Sequence, residues 1–225
     1  MNSFEDYARD YEALLDDPWR RRFADGSAFF IEQKCRAMLN HLDAAGVKRP
    51  RMVDVGCGQG TAMAFLRGHA RIVGTDISVA MVRGAVGCAP VAVQEPFALP
   101  FADGTFDVAF SFCVYHHIEE EDHSRHLAEI YRVVKPGGRV YIFEHNPYNP
   151  VTRVIFSRAP IDRGCKMITP RRLRGLVKGA GFAQIEQQYV LFFPEPIWKV
   201  AGRLEPALAW LPLGGQYFVT GRKPQ

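Results

Sequence analysis

A short apolar run that ends in three closely spaced glycines constrains this chain more than any other feature. Arg51-Met52-Val53-Asp54-Val55 reads as a buried parallel strand, and Gly56-Cys57-Gly58-Gln59-Gly60 follows directly. Glycine lets the backbone turn sharply and lets a ligand come close. Residues 61–67 return to helical character, and the first amides of a helix lack intrahelical partners. Asp54 is a carboxylate inside an apolar strand, where burial is costly without a purpose. Asp76 ends the next strand, twenty residues after Gly56, which suits an acid that accepts hydrogen bonds from ribose hydroxyls. The spacing is G-x-G-x-G rather than G-x-G-x-x-G. A nucleoside without a pyrophosphate fits that turn better than a nicotinamide dinucleotide.

The rest of the chain repeats the alternation. Strands are expected over 71–75, 91–93, 106–112 and 139–143, with helices over 78–86 and 119–134 between them. An acidic helix is expected over 4–17, and another over 27–45 with Ser27 as its cap and Gly46 as its stop. Beyond residue 150, a helix near 170–179 and strands over 183–191 and 216–219 are expected, around an apolar, proline-broken stretch at 195–211. Strands alternating with helices predict an α/β fold, a parallel sheet with helices on both faces. The organisation reads as one domain over 1–225. Residues 1–46 form an N-terminal lid and helix, 50–145 a nucleoside-binding core, and 146–225 the second-substrate side with the last strands.

Composition removes several alternatives. The chain is 48% hydrophobic and 23% charged, an ordinary globular balance. A net charge of +4 is too small for a general nucleic-acid argument. Cys35, Cys57, Cys88, Cys113 and Cys165 are scattered and odd in number, and they form no C-x-x-C pair. That pattern argues against a zinc site and against a disulfide framework, so no metal is expected. No apolar signal stretch or membrane-length run is present, and the expected location is cytoplasmic.

Four segments in order carry a family resemblance. Val53 to Gly60 resembles the first motif of class I S-adenosylmethionine-dependent methyltransferases, and Gly74-Thr75-Asp76-Ile77-Ser78 resembles their second. Leu99 to Asp107 is similar to the segment before their fourth strand, and Val134 to Arg139 to the turn before the fifth. The resemblance covers residues 50–145 and weakens towards the end. It implies a Rossmann-like fold of seven mostly parallel strands in the order 3-2-1-4-5-7-6, with S-adenosylmethionine as cofactor. By the resemblance, Gly56, Cys57, Gly58 and Gly60 flank the amino-acid end of that cofactor, and Asp54 serves its ammonium group. Asp76 holds the ribose and Ile77 packs on the adenine. Glu95 falls where the family has an acid for the adenine amino group, while Phe97 departs from the family pattern. Ser111 and Phe112 lie near the methionine portion. Tyr7 and Tyr11, one helical turn apart, are either a lid over the cofactor or packing aromatics.

The acceptor side is less determined. A sulfonium methyl is already electrophilic, so a base is needed only if the acceptor must lose a proton early. His145 is the expected general base, with Glu144 or Asn146 orienting the acceptor; a stiff turn without chemistry is the alternative. His116 and His117 either support the turn after the fourth strand or take part in catalysis. Arg153, Arg158, Arg163, Lys166, Arg171, Arg172, Arg174 and Lys178 surround a single acid, Asp162. They suggest an anionic acceptor or an anionic membrane surface. The aromatic stretch from Phe192 to Leu213 is either core or an apolar groove for an amphiphile. The expected reaction is O- or C-methylation of a small molecule, whether glycan, lipid-linked or quinone-like. The competing readings are a catalytically silent cofactor-binding partner protein and a nicotinamide-dependent oxidoreductase. No N-P-P-Y motif or RNA module points to nucleic acid.

Overall fold

The computed structural model describes residue 14 and residues 18–225. Tyr7 and Tyr11 lie outside the described residues. Seven strands form one sheet in the order β3-β2-β1-β4-β5-β7-β6. They are β1 (Arg51–Val55), β2 (Arg71–Asp76), β3 (Val91–Val93), β4 (Phe106–Phe112), β5 (Val134–His145), β6 (Ala183–Val190) and β7 (Gln216–Arg222). The first five are parallel to one another. β7 runs antiparallel between β5 and β6.

The helices are α1 (Pro18–Arg21), α2 (Ser27–Ala44), α3 (Thr61–Leu66), α4 (Val79–Ala85), α5 (His123–Val133), α6 (Pro150–Arg158), α7 (Pro170–Gly179), α8 (Glu195–Ala201) and α9 (Glu205–Leu208). Alternate strand residues feed two buried clusters. Val53, Ala109, Val140 and Ile142 meet Leu127 and Ile130 of α5 and Leu173 and Val177 of α7. Met52, Val108, Phe110 and Phe143 meet Met38 and Leu42 of α2 and Met63 and Leu66 of α3. Each fully buried Leu, Met or Phe contributes roughly 1.5–3 kcal/mol. The strand order reverses between β1 and β4, and a fold of this kind leaves a crevice there at the carboxyl ends of the strands.

Three local expectations change. The cap of α2 is Gly26, at φ 122°, and Ser27 is already helical. The helix expected from residue 119 begins at His123, because Tyr115–His117 forms a separate 3-10 turn. The Glu144 to Pro150 segment is not a loop throughout. Asn149 caps α6, accepting from the amides of Val151 and Thr152 at 2.9 and 3.1 Å, and Pro150 occupies the first turn.

Candidate functional site

The glycine turn is built for approach. Gly56 sits at φ +81°, and a Cβ there would come within 2.5 Å of Val114. Gly58 sits at φ +52°, and a Cβ there would meet no protein atom within 4 Å. Two cavities meet at this turn. The smaller, about 290 Å³, is lined by Gly56, Gly58, Asp76, Ile77, Gln94 and Phe97 among others. The larger, about 380 Å³, is lined by Asp54, Gly56, Cys57, Gly58, Lys34 and His145 among others. Phe112, Cys113, His117 and Ile161 line both, so the cavities share a wall.

Asp76 closes β2 and holds the turn. One carboxylate oxygen accepts from the Gly58 amide at 2.9 Å and the other from the Ser78 amide at 2.9 Å. A carboxylate accepts up to about four hydrogen bonds, so these two do not exhaust it. Asp54 is 2% exposed. Burial, and then the charge of Asp76, push its carboxyl up to about 8, partly offset by Lys34. Ile77 leaves 49% of its surface exposed at the strand end, available to pack on a flat ring. Gln94 is buried, and its Oε1 has no hydrogen-bond partner among the described residues. A buried orphan acceptor, an open glycine turn and an exposed isoleucine fit a nucleoside with an amino group. Gly60, at φ +84°, caps α3 against Ala85 and Cys88.

The other expected residues divide between the cavity walls and the core or surface. Glu95 is exposed and bridges to Ala98, while its neighbour Gln94 lines the cavity. Phe97 lines the smaller cavity with Arg125 over its ring at 4.7 Å. Ser111 is fully buried and lines neither cavity; Phe112 lines both. Glu144 is fully buried and is bound internally rather than facing an acceptor. It accepts from the Tyr115 amide at 2.8 Å and lies 2.7 Å from His116 Nδ1. Asn146 is also buried, donating to the carbonyls of Pro212 and Gly214 and accepting from the Tyr148 amide. Glu144 and Asn146 thus hold the chain, and of the three acceptor-side candidates only His145 lines the larger cavity.

His116 and His117 are pulled apart electrostatically. Burial opposes a charge on His116, but Glu144 and Asp162 outweigh it and hold its proton well above the usual range. Burial opposes ionisation of Glu144 too, and His116 outweighs that and keeps it low. Burial and then the neighbouring His116 push His117 down to about 3.

Lys34, Cys113, Gln94 and Asp162 were not legible as site residues. Lys34 is 5% exposed on the inner face of α2, with Nζ 3.6 Å from Cys113 Sγ and 4.8 Å above the Phe112 ring. Its signal was a lysine amid Phe30, Ile31, Cys35 and Met38 at helical spacing. Cys113 adopts φ +58°, a backbone region uncommon for cysteine. Burial opposes its ionisation, yet Lys34 and His145 outweigh that and lower the thiol to about 7. The thiolate is the reactive form, so iodoacetamide should alkylate Cys113 at a rate that rises through about pH 7 and then levels. Peptide mapping after timed alkylation reads this; a midpoint at an ordinary thiol's value, near 8.5, would refute it.

Comparison with known proteins agrees with this geometry. Residues 53–142 match the family model described as a methyltransferase domain. A demethylmenaquinone methyltransferase of Corynebacterium kroppenstedtii is 38% identical over 111 residues, 48% of this chain and 47% of that protein. One from Chlorobaculum parvum is 31% identical over 169 residues, 69% and 64% of the two chains. The chain spans about half the length of the first curated relatives it matches. A SAM-dependent methyltransferase structure from Thermotoga maritima superposes with a TM-score of 0.70 at 20% identity, covering 98% of each chain. A Haemonchus contortus phosphoethanolamine N-methyltransferase 2, solved with S-adenosylhomocysteine, gives 0.64 at 19% identity, covering all of this chain and 61% of the other. The motif order, the strand order and the family match together identify residues 53–142 as a methyltransferase domain, carried on a Rossmann-like sheet and served by S-adenosylmethionine.

Proposed function

We propose that the chain transfers a methyl group from S-adenosylmethionine to an oxygen or carbon of a small, amphiphilic, quinone-like acceptor. The observation that carries this reading is the pair of cavities sharing Gly56, Gly58, Phe112, Cys113 and His117. One has the residues suited to a nucleoside, and the other is larger and largely apolar. When bound, the cofactor supplies an electrophilic methyl group on sulfur. Asp76 would hold the ribose, Asp54 the ammonium group, and Ile77 and Phe97 the faces of the adenine. Gln94 Oε1 would accept from the adenine amino group.

Phe23, Phe30, Ile31, Ile155, Phe156 and Phe193 supply apolar wall to the larger cavity. None of the eight basic residues between Arg153 and Lys178 lines either cavity, and all are exposed. The basic residues that do line the larger cavity, Arg20 and Lys34, stand among that apolar wall, which favours an amphiphilic ring over a small soluble anion as the group held inside. Around α6 and the last loops, Tyr148, Val151, Val154, Trp210 and Leu213 are exposed, with Arg153 and Arg158 on the same helix as the two valines. Such a surface suits an amphiphile delivered from a lipid–water boundary. No helix among the described residues is long and apolar enough to cross a membrane. The demethylmenaquinone methyltransferase relatives support the quinone-like class.

His145 is the proposed general base. Its ring lies beside Cys113, with Gln216 Nε2 3.4 Å from its Nδ1. His145→Ala should lower turnover by roughly 100-fold or more while leaving cofactor affinity within about threefold. Single-turnover assays with a panel of quinols and prenylated quinols, alongside phosphorylated and carboxylated acceptors, test both points. Methylation of the anions alone would overturn the acceptor class. Failure of every acceptor with a cofactor-loaded protein would favour the silent partner reading. Unchanged turnover in His145→Ala would remove the base assignment.

A further inference from the structure

We propose that His116, His117 and Asp162 bind one divalent first-row transition-metal ion on the wall of the larger cavity. The site goes beyond the methyl-transfer reading and does not depend on it. One ligand atom from each of the three side chains lies within 4.8 Å of the others. His116 Nε2 is 3.2 Å and His117 Nε2 is 3.5 Å from the same oxygen, Asp162 Oδ1. Two donors bound at about 2.0–2.1 Å to a tetrahedral ion stand about 3.3 Å apart. The two separations to Asp162 Oδ1 bracket that value.

Both rings are aimed by their far nitrogens. His116 Nδ1 is 2.7 Å from Glu144 Oε2, and His117 Nδ1 is 3.2 Å from Cys165 Sγ. A metal-binding histidine commonly donates its other ring nitrogen to a carboxylate or another acceptor, which fixes tautomer and ring direction. In the free protein His116 Nε2 donates to Asp162 Oδ1; an ion entering there displaces that proton, and with Nδ1 as donor on each ring the two Nε2 lone pairs are then left for the metal. The turn that carries both histidines is pinned from two further sides. The Tyr115 amide donates to Glu144 Oε1 at 2.8 Å, and Tyr115 Oη lies 2.9 Å from His126 Nδ1. Asp162 arrives from the short turn after α6, 46 residues along the chain from His116. The pattern therefore had no local spacing to reveal it.

Two imidazoles and one carboxylate suit zinc or another first-row divalent ion better than calcium or magnesium. Three protein ligands leave a coordination position open, as catalytic rather than purely structural sites do. His116, His117 and Asp162 all line the larger cavity, so an oxygen of a bound small molecule has access to that position.

The test uses the full chain stripped with a chelator and dialysed. Zinc titration by calorimetry should show one equivalent bound with a micromolar or tighter Kd. Cobalt(II) should give a visible d–d absorption at the same stoichiometry. Asp162→Asn and His117→Ala should each weaken zinc binding at least about tenfold. Circular dichroism and adenosylhomocysteine binding show that each variant is folded, and Asp162→Asn, which keeps the side-chain shape, carries the test if His117→Ala does not fold. Absence of zinc binding by the folded wild-type protein would overturn the proposal and leave a proton shared between the rings and carboxylates. Wild-type affinity in both variants would overturn it too, placing the metal on other residues. Neither outcome bears on cofactor binding, which the adenosylhomocysteine titration reads separately.

Discussion

Asp76→Ala is expected to lower affinity for S-adenosylmethionine and its demethylated product by at least about 100-fold. Two hydrogen bonds from a ribose diol to a carboxylate contribute roughly 1.5–3 kcal/mol each, and 2.7 kcal/mol already amounts to about 100-fold. The same change removes the acceptors of the Gly58 and Ser78 amides, so the glycine turn loses its clasp as well. Asp76→Asn separates these effects. Its one carbonyl oxygen keeps an acceptor for the turn, while its amide presents donors where the diol needs acceptors. Its affinity should fall between wild type and Asp76→Ala. Titration calorimetry with adenosylhomocysteine measures all three, and a loss below about threefold in Asp76→Ala would remove the ribose assignment.

Asp54 should make cofactor binding depend on pH, and Asp54→Asn should abolish that dependence. In the free protein burial and Asp76 hold the carboxyl neutral up to about pH 8. An ammonium group is best matched by the ionised form, so binding at neutral pH must expel that proton. Affinity should therefore rise as pH climbs from 6 to 8 and flatten above. Calorimetry at pH 7 in buffers of different ionisation enthalpy should show close to one proton released per cofactor bound by the wild type and none by Asp54→Asn. Equal heats in all buffers for the wild type would refute the assignment. Stability carries the opposite sign. The unfolded chain loses this proton near 3.8 and the folded one near 8, so the free protein loses stability as pH rises between those values. Asp54→Asn lacks that slope and should be more stable than wild type at pH 8, on the order of 2 kcal/mol, while binding cofactor poorly.

The fold was legible where burial and pattern coincide. Val91–Val93, Phe106–Phe112 and Pro170–Gly179 have the bounds expected from sequence: a parallel strand buried on both faces, as Phe106–Phe112 is, reads as an apolar run, the edge strand Val91–Val93 is a short run with two β-branched valines, and proline marks a first helical turn. Asp54, Gly56, Gly58 and Asp76 were legible because one local turn gathers them. The acceptor side was harder for a physical reason: its partners come from distant segments. Glu144 looked like a cavity residue until its pairing with His116 and the Tyr115 amide became visible. Asp162 looked like a lone acid in a basic run and instead turns inward to two histidines. Lys34 and Cys113 meet across 79 residues, and no spacing rule reaches that far. The proline-rich start of α6 concealed a helix, although Asn149-Pro150 is itself a cap and a first turn.

Titration calorimetry of the folded chain with adenosylhomocysteine, and in parallel with NADH, tests the central claim most directly. One exothermic site for adenosylhomocysteine and no heat with NADH is the expected result. No heat with adenosylhomocysteine, or a tight site for NADH alone, would contradict it.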